Sequence, residues 1–269
     1  MKLTLAQLDQ TAGDVKRNLR RAEEAVVDAA ERGADLVVLP ELFTVGYFAF
    51  DSYAREAEGL DGPTFGRLSD LAADHGVGLL AGSHVEDLEA SAAAGYNVPD
   101  DDGLANTAVF FGRDGGMEAV YRKHHLFGYG SAESRLLTPG DSLETVSFEG
   151  FEIGTTTCYD LRFPELYRSL AEAGETLVLV PSAWPYPRVE HWQTLPRARA
   201  IENLCYVATV NGAAQFGETR LLGRSTVYDP WGTPLASAGD EPTLVETEVD
   251  PDRVDEVREE FPAWADRRQ

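Results

Sequence analysis

Hydrophobic and polar positions along the chain switch repeatedly between two periods. KLTLAQLD alternates with a period of two, as a half-buried strand does. Val15 to Arg32 then follows the helical period, with Leu19, Ala22, Val26 and Ala29 on one face and Gly33 at its end. DLVVLP is a continuous apolar run, the pattern of a strand covered on both faces. The pattern predicts a helix over Thr64 to His75, a buried strand in GVGLLAG, and a hairpin in LANTAVFFGRDGGMEAVYRK turned at RDGG. A second pair of strands is expected around Glu149-Gly150 in SLETVSFEGFEIGTTTC, then a helix from Pro164 to about Gly174. TLVLVP, a helix from about Glu190 to Leu204, CYVATVN, LLGRSTVYDPWG, TLVETEVD and a short acidic helix to Arg258 complete the series. No low-complexity linker divides it, so residues 1–269 read as one α/β domain, with AGYNVPDDDG its most loop-like excursion.

Two stretches echo each other. GADLVVLPELF (33–43) and GETLVLVPSAW (174–184) both run from a helix end through a buried strand to Pro, a polar residue and an aromatic. Two similar α/β halves imply two sheets packed together with helices outside, a four-layer arrangement.

Composition narrows the function classes. No apolar run approaches the roughly 18–20 residues that span a bilayer, and MKLTLAQLDQ carries no signal-peptide apolar segment. With two cysteines in 269 residues, a reduced, cytoplasmic protein is expected. The net charge of -23 repels nucleic acid and anionic membrane surfaces, so neither is an expected partner. Of the 23 basic residues only Lys2, Lys16 and Lys123 are lysines. This acidic, lysine-poor composition resembles that of proteins from extreme halophiles, in which the charge serves solvation.

Chemistry gathers outside the carboxyl ends of strands in α/β sheets. Three functional groups emerge at such ends: Glu41 after DLVVLP, Lys123 after EAVYR and Cys158 after FEIGTTT. Read singly, Glu41 is a cap, Lys123 a surface charge and Cys158 either a buried filler or a nucleophile. Together they are the set an acyl-transfer site needs. A thiolate attacks, a glutamate of raised pKa moves the proton, and a lysine holds the oxyanion. Cys205 lies 47 positions from Cys158, which fits neither a metal site nor a disulfide framework.

PELF, YRKHHLF and CYDLRFPEL resemble the three signature segments of the nitrilase, or carbon–nitrogen hydrolase, superfamily, and HWQTLPRARAIENLCYVATVN and GRSTVYDPWG are similar to its C-terminal half. The resemblance implies an α-β-β-α sandwich, commonly dimerised or further assembled, that uses no cofactor or metal. It implies a Glu41–Lys123–Cys158 triad, with Glu133 in AESRLLTPGD as a supporting glutamate and the Tyr159 backbone N–H at the oxyanion. The implied reaction is hydrolysis of a small amide through a cysteine thioester. CYD is similar to the amidase-type branches, including omega-amidases and deaminated-glutathione amidases. PSAWPYPRVEHWQ departs from both: it lacks their Thr-Gly and has Gln193 where they carry a glutamate. A nitrilase, an N-carbamoyl amide hydrolase and a catalytically silent binding module remain the alternatives.

Tyr47, Tyr129 and Trp184 are the expected pocket walls. Arg162 and Glu165 are expected to form a bidentate ion pair that fixes the turn, the other reading being a substrate-carboxylate site. His124 and His125 are not expected to act as catalytic bases, and Cys205 is expected to be inert.

Like charge concentrated on one surface opposes compaction, and total stability is only about 5–15 kcal/mol. Salt shortens the Debye length from roughly 10 Å at 0.1 M to roughly 3 Å at 1 M. The unfolding temperature is therefore expected to rise across a KCl series from about 0.1 to 3 M, a span of screening regimes. A flat or falling melting temperature would contradict the halophile-like reading.

Overall fold

The computed structural model describes residues 1–267. The first half of the chain runs β1 (Lys2–Gln7), α1 (Val15–Glu31), β2 (Leu36–Val38), the short α2 (Tyr53–Glu56), α3 (Pro63–His75) and β3 (Gly78–Leu80). It continues with β4 (His84–Asp87), α4 (Leu88–Ala93), β5 (Leu104–Phe111), β6 (Met117–Arg122) and the single-turn α5 (Glu133–Leu136). The second half runs β7 (Thr145–Phe148), β8 (Phe151–Thr155), α6 (Pro164–Ala173), β9 (Leu177–Ser182), α7 (Val189–Asn203) and β10 (Tyr206–Asn211). A small hairpin of β11 (Gln215–Phe216) and β12 (Thr219–Arg220) follows, then β13 (Thr226–Tyr228), β14 (Pro234–Ser237), β15 (Thr243–Glu248) and α8 (Asp252–Glu260).

Strand periodicity builds two mixed sheets. The first has the order β15-β1-β2-β3-β5-β4 with β6 also on β5, and the second β14-β13-β10-β9-β8-β7. Side chains alternate faces with a period of two. Leu36 and Val38 of β2 therefore point into the sandwich, where they share a core with Leu177 and Leu179 of β9, while Val37 points outward. That outward face is covered by α1 and α3 through Val26, Ala29, Phe65 and Leu68. On the far side, Val178 and Val180 of β9 pack with Leu170 of α6 and Ala200 of α7. Burying each such valine or leucine contributes about 1.5–3 kcal/mol. The four-layer sandwich is thus the arrangement that covers both faces of both sheets.

The echo in the sequence becomes a structural one, since β2 and β9 are interior strands of the two sheets and both lead toward the same end of the sandwich. The C-terminal β15 pairs antiparallel with β1 from Lys2↔Glu248 to Gln7↔Thr243, which ties the second half of the chain back onto the first sheet. The expected hairpins form as β5–β6 and β7–β8. The second turns at Glu149 and Gly150, with φ of 49° and 82°, the left-handed pair that a tight hairpin needs. Among the described residues no helix is long and apolar enough to cross a membrane.

Candidate active site

The chain leaves β2 through Pro40 into Glu41, where the backbone turns sharply. Leu42 adopts a left-handed φ of 43°, and its N–H donates to the Ser83 hydroxyl at 2.8 Å. Gly82 makes this possible, because a Cβ there would collide with the carbonyl oxygen of Pro40. Glu41 thereby points into the space between the sheet ends, fully buried.

Lys123 follows β6 and is 1% exposed, and Glu133 opens α5 with no exposure at all. The lysine Nζ donates to Glu41 Oε1 at 2.8 Å and to Glu133 Oε1 at 2.7 Å. Asn106 of β5 donates from Nδ2 to the same two oxygens, at 2.9 Å and 3.3 Å. The remaining oxygens are also occupied. Glu41 Oε2 accepts from the Ala183 N–H at 2.9 Å, and Glu133 Oε2 accepts from Tyr47 Oη at 3.0 Å and the Phe127 N–H at 2.7 Å. The Ala183 contact joins the two echoed segments, one from each sheet. Hydrogen bonds to each carboxylate oxygen and the close ion pairs offset the cost of burying these charges.

Cys158 begins a helical turn, Cys158–Arg162, after β8 and takes a left-handed φ of 50°. Asp160 fixes that turn: its buried carboxylate accepts from the Thr157 N–H at 2.9 Å, Tyr121 Oη at 2.6 Å, and the His125 N–H at 2.9 Å. It also contacts His125 Nδ1 at 2.8 Å. The Tyr159 N–H, one of the first amides of the turn, has no hydrogen-bond partner among the described residues and is free to donate. Cys158 and Glu41 are close enough to act on one another's titration.

Burial dominates the titration of this cluster. It pushes the Glu41 carboxyl up, and Lys123 only partly opposes that. Burial pushes the Cys158 thiol well above its ordinary value, and the nearby Glu41 charge adds to the effect against the pull of Lys123. For Lys123, burial works against the charge, yet Glu133 and Glu41 outweigh it and hold the ammonium well above the ordinary lysine range. The arrangement is a neutral thiol beside a basic carboxylate and a permanent cation, the components of a general-base-assisted nucleophile.

Cys158 opens onto a cavity of about 330 Å³. Tyr47 and Trp184 line it as buried walls, and Tyr129 lines its mouth while remaining 86% exposed. The expected Arg162–Glu165 ion pair is not formed. The turn ends at Arg162, whose guanidinium faces the cavity over Trp184 at 5.0 Å and Tyr159 at 5.7 Å and donates to His191 Nδ1 at 3.1 Å, while Glu165, in the first turn of α6, is exposed. His124 stacks on Tyr121, and His125 stacks on Phe163. Cys205 is buried in the outer core of the second sheet, and burial pushes its thiol up to about 12. Sequence reasoning did not single out Asn106, whose signal is an amide in an otherwise apolar strand, nor the Ala183 N–H, which leaves no side-chain signal. Among the described residues no group of three or more His, Cys, Asp or Glu is arranged to hold a metal ion.

Comparison with known proteins gives the family. The 2-oxoglutaramate amidase of Paenarthrobacter nicotinovorans is 38% identical over 239 residues, covering 87% of this chain and 79% of its own length. The omega-amidase of Homo sapiens is 35% identical over 277 residues, covering 99% of this chain and 95% of its own length. A solved structure of a variant of the amidase from Nesterenkonia sp. AN1 carries acrylamide added at its active-site cysteine. It superposes with a TM-score of 0.78 at 29% identity, covering 97% of this chain and 98% of that one. The carbon-nitrogen hydrolase model matches residues 2–259, and the chain belongs to that family.

Proposed function

We propose that this protein hydrolyses the amide of a small, carboxylate-bearing compound, with Cys158, Glu41 and Lys123 as its catalytic residues. The observation that carries this reading is the buried contact of Lys123 with Glu41 and Glu133 beside Cys158, at a cavity of small-molecule size. Glu41 takes the thiol proton as sulfur attacks the amide carbon, and the carbonyl electron pair moves to oxygen. Lys123 and the Tyr159 N–H receive that oxyanion. The C–N bond then breaks, the proton on Glu41 passes to the departing nitrogen, and ammonia or an amine leaves behind a thioester. Water gives its proton to Glu41 as it adds to the thioester. The C–S bond breaks, the sulfur regains its proton, and the carboxylic acid departs.

Glu133 positions Lys123 and, through it, the substrate. Arg162 suits a substrate carboxylate, because a guanidinium held by stacking keeps its in-plane N–H groups available. The relative from Paenarthrobacter nicotinovorans, named for 2-oxoglutaramate, is in keeping with an acidic amide substrate. Residues 1–269 are proposed to work as one catalytic domain. Assembly as a homodimer or higher homo-oligomer in the cytoplasm rests on the family resemblance and the composition.

Ammonia release from a panel of ω-amides, nitriles and N-carbamoyl compounds tests the reading. Amides are expected to be turned over, and turnover of only the other two classes would overturn the substrate assignment. Cys158→Ala should lose at least about a thousandfold in kcat with an unchanged melting temperature, since no other nucleophile replaces the thiol. Cys205→Ala should stay within a few-fold of wild type, and a reversal of the two results would remove Cys158 from its role.

Burial of Glu41 bears on the pH profile. Glu41 must be ionised to act as base, and burial raises its pKa, so kcat/KM is expected to fall on acidification with a limb above the ordinary glutamate value of 4.5. Lys123→Arg should cost on the order of 100-fold or more although it keeps the charge, because a planar guanidinium cannot replace a compact oxyanion donor. Near-normal turnover in Lys123→Arg would show that the lysine supplies charge alone.

A further inference from the structure

Arg188 is a charged group that the mechanism above leaves unused. It stands at the start of α7 and lines the same cavity as Cys158 and Arg162. Its guanidinium lies over the Phe127 ring, 5.4 Å from the centroid, and has no ion-pair or hydrogen-bond partner among the described residues. Other arginines, Arg17 and Arg135 among them, also have no carboxylate partner among the described residues, but Arg162 and Arg188 are the arginines that line this cavity. Several arginines away from the cavity are closely paired. Arg122 is matched by Glu86, Arg113 by Asp35 and Glu149, and Arg224 by Asp240.

At the cavity the acids are withheld. Arg162 is held by Trp184 and Tyr159, and Arg188 by Phe127, so aromatic faces stand where carboxylates would otherwise neutralise the charge. Stacking of this kind fixes the guanidinium plane and leaves its N–H fork open to a planar oxyanion. One substrate carboxylate is served by Arg162, which already gives one N–H to His191. Arg188 has its whole fork free.

We propose that Arg188 is a specificity-determining residue that binds a second anionic group, so that the preferred substrate is an amide carrying two carboxylates. The inference rests on the amidase reading and adds a substrate class to it. The second carboxylate belongs either to the acyl part or to the departing amine, and the same fork serves both.

The test compares kcat/KM for four probes: butyramide, glutaramate, the monoamide of tricarballylic acid, and N-glutarylglycine. The last two place the second carboxylate on the acyl side and on the amine side. Wild type is expected to favour one of them over glutaramate by about tenfold or more, the worth of a hydrogen bond to a charged group. Arg188→Gln should lower that preference ratio by on the order of 10- to 100-fold, chiefly through KM, with Arg188→Lys recovering part of it. An equal loss on glutaramate would mean that both arginines clamp a single carboxylate, and the proposal falls. Equal turnover of all four amides by wild type also overturns it while leaving the amidase reading intact. Turnover of none would instead remove the amidase reading.

Discussion

One ammonium held between two carboxylates, with almost no water access, is the constraint on which this molecule depends. Burying an ion costs several kcal/mol even after relaxation, so Lys123, Glu41 and Glu133 can stay charged only with close geometry and dense hydrogen bonding. The fold supplies both. β2 delivers Glu41, β6 delivers Lys123, α5 delivers Glu133, and β5 sets the Asn106 amide between the two carboxylates. The second sheet completes the set through the Ala183 N–H, so the cluster exists only when both halves of the sandwich are packed. Removing one partner of such a buried set costs about 3–5 kcal/mol, which links stability to the chemistry.

The nucleophile is set by strain of a different kind. A left-handed conformation at a residue with a Cβ costs about 1–3 kcal/mol and persists only where its surroundings hold it. At Cys158 the holder is Asp160, whose four contacts reach the turn itself, Tyr121 of β6 and His125 beyond Lys123. The segment that carries the lysine and the turn that carries the thiol are therefore fastened to one carboxylate. The left-handed turn puts the cysteine at the head of a helical segment, with the next N–H unpartnered and available to an oxyanion.

Much of this was legible in the residues because it rests on period and position. The apolar runs of β2 and β9, the helical faces of α1 and α3, and the left-handed hairpin turn at Glu149-Gly150 follow from local patterns that the core does not override. Glu41, Lys123 and Cys158 stood out as polar groups at strand ends. β4 did not, because His84 and Glu86 look like loop residues until Glu86 is seen buried against Arg122 at 2.6 and 2.7 Å. Arg162 was assigned to Glu165 by proximity along the chain, but the turn ends between them and sends one side chain to the cavity and the other to solvent. Asn106 acts through contacts across 65 and 27 residues and the Ala183 N–H through one across 142, separations that no local pattern encodes.

Burial of Cys158 favours a neutral thiol beside a basic carboxylate over a preformed thiolate–ammonium pair in the resting site. The most direct test is the pH titration of thiolate ultraviolet absorbance, taken as the difference between the wild type and Cys158→Ala. No Cys158 thiolate signal is expected near neutral pH, with ionisation only above the ordinary thiol value of 9.0. A thiolate already formed at neutral pH and lost only on acidification would contradict this, and Lys123 would then be the group that activates the sulfur.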